Sequence, residues 1–185
     1  MELFGSYTSP YVRHCRIVLD QLGLNCDFIE TDHAMSAEQS PSMKVPFLRD
    51  GELKLSDSTS ILLYFYSKAG QPFITVAEEM DVYALSNTLT DTAINLFMLE
   101  NDGITPESSS YLTRQSSRVE KGLDVLENSN LLIASDEKIA SVRLFCFLSW
   151  GLFRDRIKLD ERPNLQAFVN EMNTFPSIKK TAPPV

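Results

Sequence analysis

The sequence predicts an α/β domain followed by an all-α domain. Strand and helix signals alternate through residues 1–72, a Gln71-Pro72 linker follows, and strand signals vanish after Glu78. The 185 residues suffice for one compact unit or two small packed ones, and the pattern sets the domains at 1–72 and 79–185.

The elements follow in order. Glu2-Leu3-Phe4 reads as a strand. Val12, Cys15, Leu19 and Leu22 recur at helical spacing, and Gly23 supplies the stop. Cys26-Asp27-Phe28-Ile29 reads as a second strand, and the stretch between Thr31 and Lys44 as a loop. Phe47-Leu48-Arg49 and Leu53-Lys54-Leu55 flank Asp50-Gly51, a hairpin signal. Ser56-Asp57-Ser58 then caps a helix through Ile61, Leu62 and Phe65 that ends at Gly70. A parallel pair followed by an antiparallel pair is what a thioredoxin-like sheet requires. From Met80 the chain reads as helix, with one stripe of Leu85, Leu89, Ala93, Leu96 and Leu99 and another of Leu112, Val119, Leu123 and Leu126. Ile139 to Phe153 is apolar on nearly every side and reads as the buried central helix. Pro163 opens another helix, and Phe175-Pro176 marks a turn before a short tail.

Composition narrows the function classes. A formal net charge of -8 argues against wholesale binding to nucleic acid or to an anionic membrane. Cys15, Cys26 and Cys146 show neither metal-ligand nor dithiol spacing, so no metal is expected. Their apolar surroundings read as those of small buried hydrophobes in a reducing cytoplasm. No signal peptide is visible, and the longest apolar stretch, Leu144 to Leu148, is too short to span a bilayer.

Three short motifs carry chemistry, each with a structural alternative. Ser9-Pro10 is first a helix cap with proline at the first helical position. The same geometry can aim the serine hydroxyl and nearby N–H groups at an anion. Lys44-Val45-Pro46-Phe47 places a proline just before a strand, as an edge marker or as a cis-proline whose preceding residue offers its backbone to an extended peptide. Asp57-Ser58 at a helix start is a cap, or a grip on an amino-acid head group: helix N–H groups take its carboxylate and Asp57 its ammonium.

In this order, with an all-helical half behind them, the motifs resemble the glutathione S-transferase superfamily. The likeness is greatest to its small bacterial members, with a first turn like that of the plant tau class. Ala84-Leu85, Asp91 and Glu100, then Arg162-Pro163-Asn164-Leu165, and the closing Thr181-Ala182-Pro183-Pro184 extend the likeness along the chain. The resemblance implies glutathione as co-substrate and Ser9 as the catalytic hydroxyl that donates a hydrogen bond to its thiolate. The omega class has cysteine at this position and exchanges thiols instead. Val45, before Pro46, would hold the cysteinyl backbone, Asp57 and Ser58 the γ-glutamyl end, and Lys44 would lie near the glycine carboxylate. The resemblance also implies a homodimer, and a small electrophile placed near Tyr11, Leu99 and Phe153. Thr8 and Tyr7 are the alternative hydroxyls, and Arg13, His14 and Arg16 add positive charge nearby.

Two departures from the family are visible. Lys138 and Ser141 stand where a capping box usually starts the buried helix, and the loop from Thr31 to Lys44 is short. The expected activity is transfer of glutathione sulfur to an electrophile. The alternatives are a binding or regulatory protein of the same fold without turnover, and a glutathione-dependent thiol reductase or peroxidase. Serine at 9 and valine at 12 speak against the last, since neither forms a mixed disulfide.

Overall fold

Four short strands build one mixed sheet in the computed structural model, which describes residues 1–129 and 137–184. They are β1 (Glu2–Gly5), β2 (Asp27–Glu30), β3 (Phe47–Asp50) and β4 (Leu53–Leu55), in spatial order β2-β1-β3-β4. β1 runs parallel to β2 with Leu3 opposite Phe28, and antiparallel to β3 with Phe4 opposite Phe47. β4 returns antiparallel to β3, Leu48 facing Leu55. Gly51 turns the hairpin at a φ of 60°, a left-handed conformation that a side chain disfavours.

Two helices, α1 (Pro10–Leu22) and α3 (Ser58–Lys68), pack against each other. Leu3, Val12, Ile17, Val18, Leu48, Ile61, Leu62 and Phe65 form the buried core of this unit. Phe4 stacks on Phe47 with centroids 4.5 Å apart, and the Arg49 guanidinium lies over Phe4.

The expected loop after Thr31 contains a further helix, α2 (His33–Gln39). Asp32 caps it by accepting from the Met35 N–H at 2.8 Å. Its seven residues bury only Ser36, so no apolar periodicity announces it. The tail after Phe175 holds another, α8 (Pro176–Lys180), opened by its proline.

The chain divides into two units, Met1–Phe73 with Thr174–Val185, and Ile74–Asn173. The carboxyl-terminal segment thus groups with the first unit and not with the helices expected to run to residue 185. α8 packs on α1, Arg13 donates to the Ile178 carbonyl at 3.2 Å, and Lys180 pairs with Asp20 at 2.8 Å. Arg13 thus holds this segment against α1.

The second unit contains α4 (Ala77–Asn101), α5 (Ser110–Glu127), α6 (Ile139–Phe153) and α7 (Pro163–Met172), with a 3-10 turn at Pro106–Ser108. α4 packs on α5 and α6, and α7 packs on both of those. α6 is central: Leu144, Phe145, Phe147 and Leu148 are fully buried. Lys138 precedes it without a side-chain cap bond.

The buried face of α4 differs from the expected leucine stripe. Tyr83, Ser86, Leu89, Thr90, Thr92 and Ala93 are buried, whereas Leu85, Leu96 and Leu99 are only half-buried. Ser86, Thr90 and Thr92 each satisfy their hydroxyl on a carbonyl four residues earlier, at 2.6–2.7 Å, which makes them compatible with burial.

At the hairpin turn, Asp50 Oδ2 accepts from the Tyr64 hydroxyl at 2.6 Å and from Lys68 Nζ at 2.9 Å, fastening α3 to β3. These hydrogen bonds lower the Asp50 pKa and raise that of Lys68. A lowered carboxylate contributes stability that is complete above the ordinary aspartate range and lost as pH falls through the lowered value. Asp50→Asn should therefore lower the unfolding midpoint at neutral pH and narrow its gap to wild type as pH falls below the ordinary aspartate range. A constant gap from neutral to acid pH, measured by urea titration, would show that the charge of Asp50 contributes nothing.

Candidate functional site

The strand registers decide where the three motifs lie. β1 ends where β3 begins, because Phe4 faces Phe47, and β4 ends beside them, because Leu48 faces Leu55. The segment leaving β1 carries Ser9, the segment entering β3 carries Val45-Pro46, and the segment leaving β4 carries Asp57. All three therefore emerge from one end of the sheet, across two strand spacings or roughly 10 Å.

Gly5 sets the approach of α1. A Cβ there would fall 2.5 Å from Val12 Cγ2, so glycine lets the first turn of α1 sit directly over the end of β1. The intervening turn closes through Ser9 N–H donating to the Ser6 carbonyl at 3.1 Å, and the Ser6 and Thr8 hydroxyls lie 3.1 Å apart. Ser9 is the N-cap of α1, and its Oγ accepts from the Val12 N–H at a long 3.4 Å. An accepted bond leaves the hydroxyl proton available, and that proton has no acceptor among the described residues.

The Val45–Pro46 peptide bond is cis, as the motif suggested. Pairing of β3 with β1 starts at Phe47, so Val45 lies just outside the ladder, half-buried, with Pro46 buried behind it. Lys44 is exposed, and Met43 beside it has a φ of 53°. Ser42 Oγ donates to the Ser56 carbonyl at 3.1 Å and lies 2.9 Å from Ser40 Oγ, which ties this segment to the one carrying Asp57.

Asp57 caps α3, its Oδ1 accepting from Thr59 and Ser60 N–H at 2.8 and 3.3 Å. Its Oδ2 has no partner among the described residues, and the side chain is exposed, while Ser58 is buried. One carboxylate oxygen thus serves the helix and the other faces outward. Both cap readings are realised at Ser9 and Asp57, and both caps leave a polar atom unused.

The comparisons with known proteins bear on this arrangement. Residues 3–73 match the family described as glutathione S-transferase, N-terminal domain, a span that holds every motif residue named above. The chain is 27% identical to the uncharacterized GST-like protein YibF of Escherichia coli, covering 100% of this chain and 99% of that protein. It is 28% identical to a glutathione transferase family member from Pseudomonas fluorescens solved with bound glutathione, at a TM-score of 0.86 and coverage of 100% and 99%. A second structure of a family member from that organism, at 28% identity, a TM-score of 0.83 and coverage of 99% of each chain, holds S-(propanoic acid)-glutathione.

The chain resembles the glutathione S-transferase superfamily over its whole length, and residues 3–73 match the N-terminal domain of that family. Its first domain has the thioredoxin-like fold of that family and its second is a helical bundle.

Within this glutathione S-transferase fold, the residues near Ser9 differ in their surroundings. His14 is fully buried, and His33 is exposed. Arg16 lies over the rings of Tyr7 and Phe28, at 4.6 and 5.2 Å, and Tyr7 itself packs on Phe28. Burial lowers the Arg16 pKa; the coulombic interaction with Tyr7 opposes this shift, and Arg13 adds to it. Guanidinium remains charged under such a shift and adds positive field beside the first turn.

Cys15 and Cys146 are buried as expected, but Cys26 is only half-buried, ahead of edge strand β2. Burial pushes its thiol pKa up, so it remains a thiol at neutral pH. Among the described residues, no cluster of His, Cys, Asp and Glu could hold a metal ion, and no helix is long and apolar enough to cross a membrane.

The two roles of Asp57 separate by substitution. Asp57→Ala removes the cap and should cost about 0.5–2 kcal/mol of stability, whereas Asp57→Asn keeps a capping oxygen and should stay near wild type. Equal destabilisation by both substitutions in chemical denaturation would mean that the carboxylate charge, not the cap, holds the start of α3.

Proposed function

We propose that this protein binds glutathione at the sheet end formed by Ser9, Val45 and Asp57-Ser58 and transfers its sulfur to a small electrophile. The carrying observation is the Ser9 hydroxyl, held at the N-terminus of α1 with a proton left to donate. A thiol of pKa about 8.5 is mostly protonated at neutral pH. A hydrogen bond to its anion is worth roughly 1.5–3 kcal/mol, enough to lower that pKa by about one to two units. The helix N-terminus and Arg16 add to the same field.

The rest of the tripeptide has matching partners. An extended tripeptide spans roughly 10 Å, the same scale as the two strand spacings at this end of the sheet. Val45, outside the ladder, pairs with the cysteinyl backbone, as an added strand would. Asp57 Oδ2 takes the γ-glutamyl ammonium, and the start of α3 takes its carboxylate. Lys44, exposed on the adjoining segment, takes the glycine carboxylate.

The glutathione bound in one Pseudomonas fluorescens relative and the S-substituted glutathione in the other support the reading. Thiol exchange is disfavoured because Ser9 has no thiol and Cys15, the next cysteine along α1, is fully buried. The cytoplasm and a homodimer belong to the same proposal.

Millimolar glutathione should raise the melting temperature, since a ligand bound 100-fold above its Kd adds about 2.7 kcal/mol to the native state. An unmoved melting curve would remove the binding reading and the transfer reading together. Ser9→Ala should raise the pKa of bound glutathione by about one to two units, read from thiolate absorbance, with activity depressed at neutral pH and partly recovered in alkali. A variant with full activity and an unshifted pH profile would leave Ser9 as a cap alone, with Thr8 and Tyr7 the next hydroxyls to replace.

A further inference from the structure

Two residues other than glycine adopt a positive φ among the described residues, Met43 at 53° and Asp155 at 54°. In this region Cβ crowds the following carbonyl. Aspartate offsets the crowding with local hydrogen bonds from its short polar side chain, and an unbranched apolar side chain has no such offset. Bonds on either side hold Met43 there. Its N–H donates to the Ser40 carbonyl at 3.0 Å, the hydroxyls of buried Ser40 and Ser42 lie 2.9 Å apart, and Ser42 donates to the Ser56 carbonyl at 3.1 Å. Glycine would fit this turn without strain.

The fold gains no packing in return. Met43 is 64% exposed, more than the other exposed large apolar residues among those described. A strained position whose side chain packs on nothing points to a partner outside the fold. In the proposed placement of the tripeptide, the γ-glutamyl end lies at Asp57-Ser58 and the cysteinyl backbone at Val45. The ligand then runs back along the chain at about 3.3 Å per residue, which brings the residue after its cysteine to Lys44 and Met43. Lys44 is exposed and takes the carboxylate; Met43 is the apolar side chain beside it. A thioether on a flexible chain closes readily over a small irregular surface such as a peptide plane and a methylene. Closure also removes water from the backbone pairing at Val45 and so strengthens those hydrogen bonds.

We infer that Met43 reads the glycyl end of glutathione. Its thioether closes over the glycyl residue, so that the site selects a γ-glutamyl-cysteinyl thiol that carries a further residue after the cysteine. This rests on the glutathione-binding reading above and gives Met43 no part in the transfer step.

Calorimetric binding of glutathione and of γ-glutamylcysteine, which lacks the glycine, tests the inference on the wild type, Met43→Gly and Met43→Leu. Met43→Gly relieves the turn and removes the side chain. Without ligand it should melt about 1–3 °C higher than the wild type. It should bind glutathione roughly 3- to 10-fold more weakly and γ-glutamylcysteine unchanged. Met43→Leu keeps an apolar side chain of similar volume and should recover most of the affinity for glutathione. A Met43→Gly variant with undiminished affinity for glutathione overturns the inference. So does an equal loss for both thiols, since the contact would then lie on the part they share. A glycine variant that melts lower or fails to fold assigns the side chain to the fold and overturns it too, as does a leucine variant no tighter than the glycine one. Each of these results, obtained while the wild type binds glutathione, removes the role of Met43 alone. A wild type that binds neither thiol removes the glutathione reading and this inference with it.

Discussion

The first unit depends on the pairing of β1 with β3. With Phe4 opposite Phe47, the two rings stack on one face while Leu3 and Leu48 are buried as a pair on the other. A slip of one residue would exchange the faces of the sheet and expose one of these sets. The same register sets the end of β1 against the start of β3. Helix α1 can then begin directly over that end, because Gly5 offers no Cβ to Val12. The positions of Ser9 and Val45 are thus consequences of a hydrophobic pairing several residues away. Asp57 follows one step later, because β4 is registered on β3 and not on β1.

The helical unit meets a different constraint, the satisfaction of backbone groups at helix ends. α7 starts after Arg162, which provides no side-chain cap, and the Glu127 carboxylate from the end of α5 accepts from the Asn164 and Leu165 N–H groups at 2.9 Å each. Arg162 itself turns to Glu120 and Asp124. One acidic face of α5 therefore serves α7: Glu127 caps its start, and Glu120 and Asp124 anchor the arginine just before it. Inside the unit, the buried Arg143 donates to the Tyr83 hydroxyl at 2.9 Å, linking α6 to α4 by a buried polar contact.

Legibility followed the physics of each element. α1, α3 and the hairpin were readable because a cap, an apolar repeat and a turn dipeptide agree at each of them. α2 and α8 were not, since seven and five residues are too few for a repeat and their only signals are Asp32 and Pro176. The inner face of α4 escaped for another reason. Ser86, Thr90 and Thr92 count as polar in any pattern, yet their back-bonded hydroxyls make them buried residues in the fold. The motif residues were legible as types and order, while their convergence on one sheet end required the registers.

Capping and ligand binding need not compete for the same residue, and two N-caps of the first unit, Ser9 and Asp57, show why. A helix start presents several unbonded N–H groups, more than one side chain can satisfy. Ser9 engages Val12 and Asp57 engages Thr59 and Ser60, so each fixes the direction of a helix start without exhausting its own polar capacity. What remains differs by residue type: serine retains a donor, and aspartate retains an acceptor with charge. A donor suits an anion such as a thiolate, and a charged acceptor suits an ammonium. A cysteine at position 9 could occupy the same turn, but its thiolate would attack sulfur where the serine hydroxyl only donates a hydrogen bond. Local folding constrains where these two side chains stand, and their identity then determines which chemistry the turn can perform.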